Sequence, residues 1–371
     1  MGSYRPYIFF GSIPLALSFI LLFWVPPFEG SLLFVFLIIV NIFHRTCFTI
    51  VSVPYSSLTA RISDDSEERT KLTTARMLGA SFGTLSISAL GFPIINWFGS
   101  GEESLGFVYL GICSGLAAIL ILAITVKTVK ERNFDIEFSK LPSFSEVSKS
   151  IVNNYAFLIV FASTLTLITT SIMFNKNLIY YTKYALGLHE FQGLSLGVNS
   201  ASAFLAIPIW AYFALKIGKR NSWLISMSLL VFSFLFFYLY PIKNLIELLI
   251  VLIALGIGNG ATGVLFWSML PDTIEYGEWK TGVRTESSLY GFMTFAQKGG
   301  IAISALILGM LLTNIGFIPN TVQSEETLES LKSLMTFIPL AGVVLSFILV
   351  YFYPIDSKFH KKLIREINER S

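Results

Sequence analysis

Apolar positions along the 371 residues neither alternate nor keep to one helical face; they run in long blocks separated by short polar segments. The blocks lie near 7–25, 31–58, 76–98, 105–126, 154–175, 190–214, 222–241, 246–270, 288–313 and 332–353. Each approaches or exceeds the roughly 20 residues that carry a helix across a 30 Å hydrocarbon core. Helix is the only open-ended choice there, because an unpaired strand would leave backbone donors and acceptors unsatisfied in lipid. The pattern therefore predicts an all-α membrane protein with ten transmembrane helices. The first block extends too far and lacks a small-residue cleavage site, which argues against a removable signal peptide.

The longest polar stretch, Lys127 to Asn154, divides four helices from six. We expect an amino-terminal bundle over 1–126, a cytoplasmic interdomain linker over 127–153, and a six-helix bundle with a cytoplasmic tail over 154–371. Carriers built from two six-helix halves would need two further helices before Met1, so the chain is expected to lack its first two transmembrane helices. A weak repeat supports that count. Asp64-Asp65-Ser66-Glu67-Glu68-Arg69 followed by Arg76 in one half resembles Asp272-Thr273-Ile274-Glu275-Tyr276-Gly277-Glu278 followed by Arg284 in the other.

Composition agrees: 54% of residues are hydrophobic and 13% charged, about half the charge of a soluble domain. A net charge of +3 would suggest nucleic acid if the basic residues formed one patch. Instead they gather in alternate loops, around Arg5, Arg61 to Arg76, Lys127 to Lys149, Lys216 to Arg220, Lys280 to Arg284 and Lys358 to Arg370, while the other loops hold only Lys176, Lys183 and Lys243. Basic short loops stay inside, so both termini are expected in the cytoplasm, in the inner membrane, with lipid rather than nucleic acid as surroundings. Trp24 and Trp97 suit interfacial anchors. Cys47 and Cys113 lack metal or disulfide spacing and read as two buried thiols.

A charge inside a spanning helix is costly and marks a functional site by default. Lys298, in Phe295-Ala-Gln-Lys298-Gly-Gly, lies too deep to snorkel easily and is expected to line a central cavity. Arg76 opens its block and is either a snorkelling inside residue or a ligand. Arg45 reads equally as a packing residue or a ligand, and His44 as a satisfied structural histidine. Pro54 frees a carbonyl in a helix whose Thr49, Ser52 and Ser56 share a face. Those hydroxyls can serve a solute or cation, or bond to their own backbone. Gly256 to Gly263 lacks the strand and the lysine of a phosphate loop, and reads as a close helix contact. We find no nucleophile with a base, no carboxylate dyad and no metal motif, which argues against an enzyme.

Tyr4-Arg-Pro-Tyr7, Pro54-Tyr-Ser-Ser-Leu58 through Arg76, and above all Met269-Leu-Pro-Asp272 through Glu286 to Lys298 resemble the glycoside-pentoside-hexuronide:cation symporter family, in essentially the whole chain. The resemblance implies a major facilitator-type fold of two helix bundles, here 4 + 6, with a sugar site between them and symport by alternating access. It implies no cofactor beyond a coupling ion, sodium or proton, and we expect a monomer. It matches Arg76 to a sugar-contacting arginine, Lys298 to a lysine near the sugar and cation, and Thr49 to a cation-coordinating threonine. Ser52 and Ser56 replace a sugar-binding aspartate and a tryptophan, so the solute is expected to differ. We place Trp267 in the same substrate-binding set. Asp65, Arg69, Asp272, Glu275, Tyr276, Glu278 and Arg284 are expected to form a cytoplasmic gate of charge pairs in loops. The alternatives are a non-sugar or uncoupled carrier of the same family, or a non-transporting truncated membrane remnant.

Overall fold

A computed structural model describes residues 2–63, 65–99, 102–131, 144–319 and 321–369. Among the described residues twelve α-helices follow in chain order: α1 (Arg5–Phe23), α2 (Gly30–Ile62), α3 (Ser66–Gly99), α4 (Glu103–Thr128), α5 (Phe144–Asn153), α6 (Tyr155–Tyr180), α7 (Gln192–Ile217), α8 (Lys219–Leu239), α9 (Leu245–Thr281), α10 (Glu286–Asn314), α11 (Glu325–Tyr351) and α12 (Ser357–Asn368). Every expected apolar block lies largely within one of them, with differences of one or two residues at several ends. Among the described residues nine helices are long and apolar enough to cross a membrane, and the block at 76–98 forms the greater part of α3.

Three differences matter. Helix α3 starts ten residues before its apolar block, and α9 continues eleven residues beyond its own. Much of the segments expected as charged loops is therefore helical: Arg69 lies on α3 and Asp272, Glu275, Tyr276 and Glu278 on α9, while Asp65 and Arg284 lie just outside the helices. Pro271 does not stop α9, although it cannot donate to the carbonyl four residues back. The helix ends instead at Gly282, whose left-handed backbone (φ 73°) lets its N–H reach the Glu278 carbonyl at 2.8 Å. Two amphipathic helices, α5 and α12, were not anticipated; they are too short and too polar to span. Much of the expected linker, 132–143, lies outside the described residues, as does Asp64.

The chain divides into two compact units. Unit 1 comprises Met1–Asp64 and Gly79–Leu141; unit 2 comprises Asp65–Leu78 and Pro142–Ser371. The opening turns of α3 are thus counted with the carboxy-terminal helices. In unit 1, α1 packs on both α2 and α4, around Ile8, Val51, Leu58 and Val126. In unit 2, α9 lies against α7 and α8, and α6 against α10 and α11. The α7–α9 seam confirms the reading of the glycine run. A Cβ on Gly256 would stand 2.4 Å from the Asn199 carbonyl oxygen, and one on Gly260 2.4 Å from that of Ala203. Only glycine permits backbones so close.

The cysteine expectation holds for Cys47, which is buried, and fails for Cys113, which is exposed on α4. An apolar face turned outward carries a thiol readily when its surroundings are lipid.

Candidate functional site

Two groups of side chains in unit 2 bring chemistry together. The first is a stack. The Arg76 guanidinium, on α3, lies 4.4 Å from the centre of the Trp267 ring on α9, and Trp267 lies nearly parallel to Tyr290 of α10, 6.1 Å away at 19°. Beside it Met77 and Leu78 pack on Ile207, Ala211 and Val264, which fixes this part of α3 on α7 and α9. A planar guanidinium on an indole keeps its in-plane N–H groups directed outward. The same tryptophan offers an apolar face, the surface that a sugar ring's C–H groups prefer. Tyr290 carried no signal in the sequence, because a tyrosine in an apolar run reads as core.

Lys298 is half-buried on α10, about two turns beyond Tyr290 and roughly 18 Å along the helix from its first residue. Thr49, Ser52 and Ser56 lie in unit 1 on α2. The Thr49 hydroxyl donates to the Arg45 carbonyl at 2.8 Å, leaving its lone pairs as the group it can offer. Ser52 is half-buried, and its oxygen has no hydrogen-bond partner among the described residues. Ser56 is half-buried too. His44 meets the Ser18 hydroxyl at 3.1 Å through Nδ1 and lies among Phe19 and Phe48, as a structural histidine does. Arg45 is exposed on α2.

The second group is an ion cluster at the charged end of α9. Arg69, wholly buried, donates to Glu275 and lies 3.7 Å from Asp272. Lys219, at the start of α8, donates to Asp272 Oδ2 and to the Ser268 carbonyl, both at 2.7 Å. His360 of α12 places Nε2 2.6 Å from Glu275 Oε2 and 3.7 Å from Asp272 Oδ1. Asp272, Glu275 and His360 bring donor atoms within 4.8 Å of one another, a spacing a metal ion could use. The guanidinium and ammonium already supply the positive charge, however, and a further dication would be repelled. The arrangement is an ion-pair network.

Of the residues expected to form a gate, Arg69, Asp272 and Glu275 are mutual partners. Asp65 is exposed, and its carboxylate accepts the Glu67 N–H at 2.6 Å and the Glu68 N–H at 3.3 Å, capping α3. Burial works against ionisation of Asp65, but those N–H groups, with Lys361 and His360, hold it below its ordinary value. Arg284 pairs with Glu278 at 2.7 Å and with Glu286. It ties α9 to α10. Burial disfavours the Arg284 charge, yet the two carboxylates raise its affinity for the proton overall. Tyr276 contributes a ring: with Trp279 it meets Phe359 of α12. Lys219 and His360 were missed because both lie far along the sequence from Asp272, in segments that read as ordinary basic loops.

Residues 1–357 match the family model described as MFS/sugar transport protein. The chain belongs to that family. It is a multi-pass membrane sugar transporter of the major facilitator superfamily and not an enzyme. It is 28% identical over 375 residues to the glucuronide carrier protein homolog of Escherichia coli K12, matching all of this chain and 81% of that protein. It is 27% identical over 376 residues to the isoprimeverose transporter of Lactiplantibacillus pentosus, of which 77% is covered. Its fold resembles the outward conformation of the major facilitator transporter FucP with a TM-score of 0.67 at 13% identity, over 95% of this chain and 84% of that one.

Proposed function

We propose that this sugar transporter carries an acidic glycoside, of the hexuronide kind, by cation-coupled alternating access. The observation that carries the reading is Arg76 lying on the face of Trp267. An indole receives the apolar face of a pyranose, and the guanidinium edge beside it suits a carboxylate held in two parallel hydrogen bonds. Lys298 is assigned to substrate binding, as are Ser52 and Ser56 of unit 1, whose hydroxyls can hydrogen-bond to a solute. The name of the glucuronide relative supports an acidic sugar. Thr49 is assigned to a sodium or proton site. The ion cluster of Arg69, Lys219, Asp272 and Glu275 is assigned to the cytoplasmic gate, with both termini in the cytoplasm of an inner membrane and a monomer as the working unit.

Uptake into proteoliposomes tests this. We expect a labelled glucuronide to accumulate under an inward sodium or proton gradient, the matching uncharged glucoside to accumulate less, and Arg76→Ala to remove the preference for the acidic sugar. Equal uptake of both sugars by the unaltered protein would refute the acidic-sugar assignment. For the gate, paired cysteines replacing Arg69 and Asp272 should block uptake when crosslinked and release it on reduction.

A further inference from the structure

Three side chains of the carboxy-terminal helix α12 converge on α9. Its His360 reaches Glu275 and Asp272; its Phe359 sits against Tyr276 and, edge to face, Trp279; and its Glu366 accepts the Trp279 indole N–H at 2.6 Å. Leu363 of the same helix is buried. The opposite face, with Lys358, Lys361, Lys362 and Arg365, is exposed. Of the contacts to α9, the one from His360 enters the ion cluster, and histidine changes charge near neutral pH.

We propose that α12 is a proton-sensitive latch on the cytoplasmic gate: charged His360 ties the tail to Glu275 and Asp272 and holds the cluster shut, and loss of the proton loosens the tie. The proposal rests on the reading of that cluster as the gate.

The groups that face the imidazole can be named element by element. From α9 come Asp272 and Glu275; from α3, Arg69, bound to the same Glu275; from α8, Lys219, bound to the same Asp272. Tyr353 lies between α11 and α12, its hydroxyl held protonated by burial and by the two carboxylates. Asp65 feels His360 and Lys361 from the α3 side. Without the histidine proton the two carboxylates balance Arg69 and Lys219. With it the cluster gains one positive charge, and the exposed Asp65 and Lys361 offset each other at its edge. Burial resists the charging of His360, but Asp272 and Glu275 outweigh burial and Lys219, and the imidazole binds its proton more tightly than a free histidine does.

The sign follows by linkage. A group whose affinity for the proton is raised in the docked state contributes fully below its ordinary pKa and ceases to contribute as pH rises through the raised one. Acid in the cytoplasm therefore fastens the tail, and alkali frees it.

The test uses the full chain in lipid nanodiscs. Amide hydrogen exchange of α12 is compared between the unaltered protein and His360→Gln at matched pH, from about pH 5.5 to about pH 8.5, a range that brackets histidine titration. Taking the ratio at each pH cancels the intrinsic dependence of exchange chemistry. We expect α12 of the variant to exchange several-fold faster at the acid end, with the ratio falling towards one at the alkaline end. A ratio that does not change with pH overturns the latch. If His360→Gln fails to assemble, the unaltered protein still decides. It has three histidines, few enough to resolve by NMR after selective labelling, and a His360 titration midpoint at or below that of free histidine overturns the proposal. Exchange and titration read the tail, whereas uptake under the Arg69 and Asp272 crosslink reads the gate. A pH-dependent tail beside unimpeded crosslinked transport would overturn the gate reading and, with it, the latch's function but not its titration.

Discussion

The two groups on α9 meet their cations through different kinds of contact. At the charged end, Arg69 and Lys219 meet carboxylates and the protein supplies the counter-charge itself. Farther into the bundle, Arg76 meets the face of an indole, whose π-system attracts a cation. A cluster of the first kind is costly to open and expensive to break, because removing one partner strands the other. A stack of the second kind brings a planar cation and an aromatic face together, at a smaller cost to break. Under the roles proposed above the first is a lock and the second a binding surface, though both use arginines from the same short segment of α3.

Breaking the lock should have the largest effect. Glu275→Ala removes the acceptor of both Arg69 and His360, and we expect a loss of about 3–5 kcal/mol, read as a large fall in thermal stability in detergent. Next comes the tie between α9 and α10. Arg284→Ala forfeits charge-assisted bonds to Glu278 and Glu286 at a half-buried position, and should cost about 1.5–3 kcal/mol in the same measurement. The stack should behave differently. Arg76→Ala is expected to lower stability by only about 0.5–2 kcal/mol while abolishing uptake of an acidic sugar, and Arg76→Lys should keep the charge but recover little transport, since an ammonium cannot bind a carboxylate in two parallel bonds. A stability loss for Arg76→Ala as large as that for Glu275→Ala would erase the distinction. The smallest effect belongs to the outer face of α12. Lys362 is 70% exposed in its pair with Glu366, and Lys362→Ala should change stability by no more than about 0.5 kcal/mol.

How much of this was legible in the sequence depended on whether the signal was local. Apolar blocks announce spanning helices, and all ten blocks are helical. The ends of α3 and α9 were not legible, because charged residues such as Glu67 and Glu278 resemble loop residues until their side chains find partners, and because Pro271 suggests a stop that the surrounding contacts override. Arg69, Asp272 and Glu275 could be picked out by their repeated spacing. Lys219 and His360 could not, since only the packing of α8 and α12 on α9 brings them to the same carboxylates. Gly277 shows the same limit: it reads as a loop residue, yet a Cβ there would stand 2.6 Å from the Asn154 side-chain nitrogen, which donates to the Thr273 carbonyl at 2.7 Å.

Helix α9 carries both groups on one unbroken backbone. Trp267 and Asp272 are five residues apart, about 7.5 Å of helical rise, with Pro271 between them. Over so short a span a rotation of the helix that turns the indole also moves the carboxylates, unless the turn between them bends. Under the roles proposed above, occupancy of the one and release of the other would be coupled through that turn, with no relay of intermediate residues to traverse. Pro271 sets where the rod can yield: the Trp267 carbonyl lacks its proline-side donor, so any bend localises in the turn joining solute to lock. A variant restoring that donor, Pro271→Ala, would stiffen the joint and alter how fast the carrier cycles more than how tightly it binds.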